Sequence, residues 1–364
     1  MFGLMSQLES MFLRIRSLFF ISSFISFIGC GDNDLMTDYK MFKISGSAQG
    51  TSYSLQVFDT DLHFTQNEID SLLDGFDGKL STYVNTSLVS RFNQSSFTDT
   101  LLKKKDVFSQ MLLLSDTVFH LTDGYFDPSI KPVIDLWGFG TDSEHVPSTF
   151  SLDSAMLLVG YTQGLHFDIE IIEDVIQFRK KTSGFQLDFN AIAQGYSVDL
   201  LMDFIKSRGH ENVYVELGGE IKLSGAKGKG QKWKIGVETP KENNLSNEQV
   251  IHSAFSLSDC AIATSGNYRK YFISDGELYA HTINPKTGLQ NRHQLLSATV
   301  VSESCAFSDA LATYFMVVGL AESKRFIEQN PDLNMDVYFI YSQDGKYKSY
   351  CSDDLIGVKE DYNS

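Results

Sequence analysis

The sequence predicts an α+β fold, and three features of it do so. Segments with two-residue apolar alternation interleave with segments whose apolar residues recur at helical spacing. Both kinds run through the whole chain, and no repeat, low-complexity stretch or proline-rich linker divides it. With 364 residues, 42% hydrophobic and 13% aromatic, the chain has apolar surface enough for a large core. The expected organisation is a leader over 1–29, a cysteine and polar tether over 30–40, and one compact unit over 41–364. That unit has mixed or antiparallel sheets flanked by helices, with room for two lobes around a cleft.

Arg14 and Arg16 precede an apolar run, Leu18 to Ile28, the length of a signal-peptide core and too short to span a bilayer. It ends in Phe27-Ile28-Gly29-Cys30, which resembles a bacterial lipobox and makes Cys30 the expected lipidated N-terminus; Met11 is an alternative start. The other cysteines, Cys260, Cys305 and Cys351, have neither CxxC nor metal-like spacing, and Cys260 and Cys305 read as packing residues.

In the main unit, 42–48 and 53–58 alternate as strands, and 67–76 and 107–121 carry helical periodicity around a loop holding Tyr83. Residues 151–159 read as a short helix capped by a serine, 166–169 and 174–179 as a hairpin, and 185–189 as a strand. A long helix follows over 191–208, closed by Gly209. Strands dominate 213–283, with Asp275-Gly276 as a hairpin turn. The last third reads as a strand over 295–301, helices over 304–318 and 321–329, and a hairpin across Asp344-Gly345.

The net charge of −16, with no basic stripe of interleaved aromatics, argues against a nucleic-acid partner. Four segments carry possible chemistry. Asp188 to Tyr196 joins a strand to a helix through small residues; its free N–H groups suit a diphosphate, and the same junction also suits plain helix-on-sheet packing. Asp309 and Thr313 lie four apart on one helix face, where they can offer a hard cation two oxygens or serve only their own helix. His281, at a strand edge before Asn284-Pro285 and Gly288, is a possible general base or a structural histidine. Aromatics among glycines at 123–128 and 136–140 can line a pocket for a planar ring or plug a loop.

Taken together and in order, these segments resemble one family, the ApbE-type FAD:protein FMN transferases. The resemblance rests on Gln49-Gly50-Thr51-Ser52-Tyr53, Leu80 to Tyr83, Ser90 to Asn93, the Asp-Gly-x-Phe-Asp and Leu-Trp-Gly-Phe-Gly stretches, Asp188 to Tyr196, Glu216 to Glu220, His281 to Gly288, and Asp309 to Thr313. It implies an enzyme that binds FAD in a cleft and, with Mg²⁺, moves FMN to a threonine or serine hydroxyl of an acceptor, releasing AMP. The implied acceptor is a flavin-carrying subunit of a membrane redox complex, and the implied location is the periplasmic face of the inner membrane. Carried over by position, Asp309 and Thr313 side chains and the carbonyls of Ala193 and Ala312 would hold Mg²⁺. Gln49, Tyr83, Trp137, Gly138, Phe139, Asn190, Tyr196 and Thr282 would contact FAD, and His281 would activate the acceptor hydroxyl. Gln49 replaces the family's usual methionine, Gln194 stands where lysine or glutamate is frequent, and Asn284 replaces an aspartate, removing a charge beside His281. A Mg²⁺-dependent FAD pyrophosphatase and a non-catalytic flavin-binding lipoprotein are the competing readings.

Overall fold

Alternating burial along the central strands sets the layering. In the computed structural model, residues 39–360 are described except 140–143, 229, 241–249, 268–270, 275–276 and 292, and from 271 to 278 only the backbone of the flanking strands. The leader, Cys30, the tether as far as residue 38, Gly140 and the Asp275-Gly276 turn lie outside the described residues. The main sheet has eight strands in the order Lys40–Ala48, Thr51–Asp59, Val213–Leu217, Glu220–Ser224, Ala261–Gly266, Leu295–Ser302, Asp336–Gln343 and Lys346–Cys351. Every pairing within it is antiparallel.

Val213, Val215 and Leu217 point to one face and pack with Val198, Leu201 and Ile205 of the helix Asn190–Ser207. Tyr214 points to the other face, towards Trp233 and Ile235 of a three-stranded sheet made by Lys359–Glu360, Ile251–Leu257 and Trp233–Glu238. The period-two pattern of one short strand thus serves two hydrophobic layers. A second three-stranded sheet, Thr98–Lys103, Val175–Lys180 and Phe167–Ile172, covers a core formed with the helices Leu88–Gln94 and Val107–Leu121.

The helix Cys305–Val318 is buried on nearly every side, between the main sheet and the helix Asn190–Ser207. Ser304 caps it by accepting from Phe307 N–H, and Asp199 reaches over from the neighbouring helix to accept from Cys305 N–H and Ala306 N–H, both at 3.0 Å. The two helices can approach so closely because residue 195 is glycine: a Cβ there would stand 2.4 Å from the Cys305 carbonyl oxygen.

Two expectations need correction, and some elements were missed. Residues 185–189 join no sheet, because their backbone is satisfied otherwise: Leu187 N–H donates to Asn93 Oδ1 at 2.8 Å, Asn93 Nδ2 donates back to Leu187 O, and Asp188 N–H donates to Pro128 O. The short helix is Thr149–Met156, capped by Ser148 rather than Ser151. Helices at Leu88–Gln94 and Lys131–Trp137 and the strand Thr98–Lys103 were not anticipated; the helices are a turn or two long, below the length at which periodicity is readable.

Candidate active site

A cavity of about 440 Å³ opens where the helix Asn190–Ser207, the helix Cys305–Val318, the turn after residue 280 and several strand ends converge. Gln49 and Gly50, both at positive φ, form the turn between the first two strands and line it, as do Gly218 beyond the third strand and Thr264 to Gly266 at the end of the fifth. Gly218 adopts φ 68°, and a Cβ on it would meet Gln194 Nε2 at 2.9 Å, so a larger residue would crowd this wall.

The electrostatics of the lining are one-sided. Asp127, Asp188, Glu220 and Asp309 all contribute, each almost wholly buried, and no lysine or arginine is among the described lining residues. Burial pushes the Asp309 carboxyl up to about 7, opposed by one hydrogen bond from Gly195 N–H to Oδ2 at 3.0 Å. No described residue donates to its Oδ1. Burial also raises Asp127, to about 6, although its Oδ1 accepts from Ser129 N–H and its Oδ2 from Tyr161 N–H. Asp188 is raised for the same reason and accepts from Asn190 N–H at 2.7 Å and Asn190 Nδ2 at 3.2 Å, which fixes the asparagine at the helix start.

Six of the residues expected in the site line this one cavity: Gln49, Asn190, His281, Thr282, Asp309 and Thr313. Thr313 Oγ1 lies 3.3 Å from Ser265 Oγ. Gln49 Nε2 donates to Ser197 Oγ at 2.6 Å, and Ser197 in turn donates to the Ala193 carbonyl, while Gln49 Oε1 is buried without a hydrogen-bond partner. Ala193 and Ala312 are buried beside the lining, on the helices that carry Asn190 and Asp309.

The remaining expected contacts surround the cavity without lining it. Tyr83 is 69% exposed, with its hydroxyl directed to the Asn190 side chain. Trp137 is buried, and its Nε1–H donates to Gly288 O at 2.9 Å, pinning the turn that carries His281. Gly138 ends the helix Lys131–Trp137 in a left-handed conformation, and Phe139 stacks on Trp137 at 6.3 Å. Tyr196 stacks on Phe76 at 6.0 Å. Asn284 turns its side chain into its own loop, accepting from Lys286 N–H at 2.8 Å, and so organises the proline turn.

Thr264, Ser265 and Gly266 line the cavity and were not singled out from the sequence. Their signal, small polar residues and glycine ending an alternating strand, is shared by any strand that stops at a turn.

The ApbE family model matches residues 49–339. The chain belongs to the ApbE family. An ApbE relative of Vibrio cholerae serotype O1, an FAD:protein FMN transferase, is 33% identical over 321 residues, covering 85% of this chain and 90% of that one. The FAD:protein FMN transferase of Haemophilus influenzae is 30% identical over 315 residues, covering 85% and 88%. Among solved structures, the flavin transferase ApbE from Vibrio cholerae matches with a TM-score of 0.74 at 30% identity, over 88% of this chain and 99% of that one. The Pseudomonas stutzeri flavinyl transferase ApbE, in its apo form, matches at 0.75 and 29%, over 88% and 98%. The α+β architecture is thus the ApbE fold, and the cavity lies where its helices and strand ends meet.

Proposed function

We propose that this chain transfers the FMN half of FAD to a threonine or serine hydroxyl of an acceptor protein, releasing AMP, in a Mg²⁺-dependent reaction. The coarse activity follows family membership and relatives that are FAD:protein FMN transferases. The observation that carries the metal is the lining itself. A diphosphate brings further negative charge among Asp127, Asp188, Glu220 and Asp309, which only Lys286 near Asp127 and Lys131 near Asp188 offset from behind the lining, so a cation arriving with it fits the site.

Two lining donors suit a hard cation, the Asp309 carboxylate with one oxygen open and the Thr313 hydroxyl, and the carbonyls of Ala193 and Ala312, on the helices beside the lining, would add further oxygen. When bound there, Mg²⁺ would neutralise charge on the diphosphate and ease departure of AMP. Asn190, fixed by Asp188, and Thr282 orient the FAD in this reading, and the exposed ring of Tyr83 covers it; that Asn190 and Thr282 line the cavity supports the assignment. His281, exposed at the cavity wall, takes the proton of the acceptor hydroxyl as that oxygen bonds to the FMN phosphorus and the bond from phosphorus to the AMP oxygen breaks. The acceptor is a flavin-carrying subunit of a membrane redox complex. Cys30 carries a lipid that holds the enzyme at the periplasmic face of the inner membrane; no described helix is long and apolar enough to cross a bilayer.

The test mixes the chain from residue 31 with FAD, Mg²⁺ and a candidate flavin-subunit domain, reading covalent flavin fluorescence on a denaturing gel beside AMP release. A fluorescent acceptor band abolished by EDTA is expected. AMP without a band for any acceptor would establish the pyrophosphatase instead, and FAD retained intact with neither signal a flavin binder.

A further inference from the structure

A second cavity, of about 470 Å³, lies at the other end of the central strands. It is lined by Lys227, Lys232 and Lys234, all exposed, with Glu360 the one carboxylate among its described lining residues, over Tyr214, Trp233 and Gln56. Gln56 and Tyr214 are cross-strand partners, whereas Thr51, at the opposite end of its strand, and Gly218, just past the end of the other, line the first cavity. Five residues of strand, roughly 17 Å, separate the two along the strand Thr51–Asp59. In a chain of net charge −16 this gathering of lysines is a local inversion of sign. Glu360 answers Lys234 with an ion pair; Lys227 and Lys232 make no described ion pair.

The lysines also stand where the chain enters the fold. The ring of Tyr39, the first described residue, stacks on Phe58 at 5.4 Å, and Phe58 packs beside Gly228, next to Lys227. Eight residues lie between Cys30 and Tyr39, and the nine steps along the chain reach no more than about 32 Å even fully extended. A lipid on Cys30 would therefore hold a bilayer within that distance of Tyr39, whose ring packs on Phe58 next to the lysine cleft.

We propose that the cleft formed by Lys227, Lys232 and Lys234 is a docking surface for the anionic phospholipid headgroups of the membrane to which the chain is tethered. The second electrostatic contact reinforces a single lipid anchor and turns the strand ends that carry the FAD cavity away from the bilayer, towards an incoming acceptor. Three lysines suit a surface patch; a nucleic-acid backbone needs a longer basic track. The distance argument rests on lipidation of Cys30, whereas the cleft itself does not.

The experiment uses the unlipidated chain from residue 31; the match to the solved ApbE structures covers 88% of the full chain and nearly all of theirs. Co-sedimentation is measured with vesicles of phosphatidylcholine alone and with phosphatidylglycerol added, at low and high salt. Binding is expected only to the anionic vesicles, lost at high salt, and weakened about fivefold for each lysine removed, hence roughly 25-fold in Lys227→Ala/Lys232→Ala. That variant should keep wild-type FAD turnover in solution, which separates the docking role from the transferase reading and confirms folding. Equal binding to neutral vesicles, no binding to anionic ones, or unchanged binding in the double variant would overturn the proposal, as would displacement by inorganic phosphate or duplex DNA at equal phosphate concentration. Incorporation of labelled palmitate into wild type but not Cys30→Ser in cells tests the anchor separately.

Discussion

Two aspartates sit at the same helix–helix contact and are treated in opposite ways. Asp199, on the helix Asn190–Ser207, is saturated: Lys222 Nζ, Ser304 Oγ, Cys305 N–H and Ala306 N–H all donate to it. Asp309, on the facing helix, is more deeply buried and has one donor, Gly195 N–H. A fold that can supply four donors to one carboxylate and supplies one to another, about a turn away across a glycine contact, is withholding them. The difference separates a carboxylate that holds the helices together from one whose charge is left for something that enters the cavity.

The sharpest test of that contrast is Asp309→Ala. With the donor set broken, FMN transfer should fall by about 10³-fold, the scale on which a bound cation stabilises charge in such reactions, while thermal stability holds or rises because a buried, poorly satisfied carboxyl is gone. Full activity at low Mg²⁺ would contradict the assignment. Asp199→Ala should show the reverse pattern. Loss of the cap and of the partner for Lys222 should cost about 2–4 kcal/mol in denaturant unfolding, with activity reduced only as far as the helix Cys305–Val318 shifts. The smallest effect is in pH. The folded carboxyl of Asp309 titrates near 7 and an unfolded one near 4, so between those values the folded chain holds a proton that the unfolded chain has lost. Its contribution to stability is therefore present at low pH and disappears as pH rises from about 4 to 7. The melting temperature of the metal-free wild type, measured relative to Asp309→Asn, should fall across that window and recover at pH 7 when Mg²⁺ is added. A flat difference would show that the carboxyl is not held protonated.

How much of this was legible beforehand depended on range. The helices with Asp309 and Asn190 announced themselves through local periodicity and caps, and their motifs gave the expected pairing of carboxylate and hydroxyl. The strand at 185–189 misled because alternation reports burial on one face, and here the partners are the Asn93 side chain and a proline carbonyl, more than fifty residues away in each case. Ser265 and Glu220 reach the cavity through strand order, a non-local property that no window of sequence contains. At Gly195 the two readings of the Asp188–Tyr196 junction meet: the missing side chain serves close packing, admitting the carbonyl of Cys305, and which partner it admits is a non-local fact. The lysines at 227, 232 and 234 are too few to stand out in an acidic chain until a cavity gathers them.

The chain has two tryptophans, and the fold assigns one to each end of the central strands. Trp137 is hydrogen-bonded to the turn that carries His281, close enough to the flavin cavity for its emission to be transferred to a bound isoalloxazine, and Trp233 forms the floor of the lysine cleft. The molecule thus carries two intrinsic optical probes with separate jurisdictions, and replacing either indole with phenylalanine leaves a protein in which light reports on a single face.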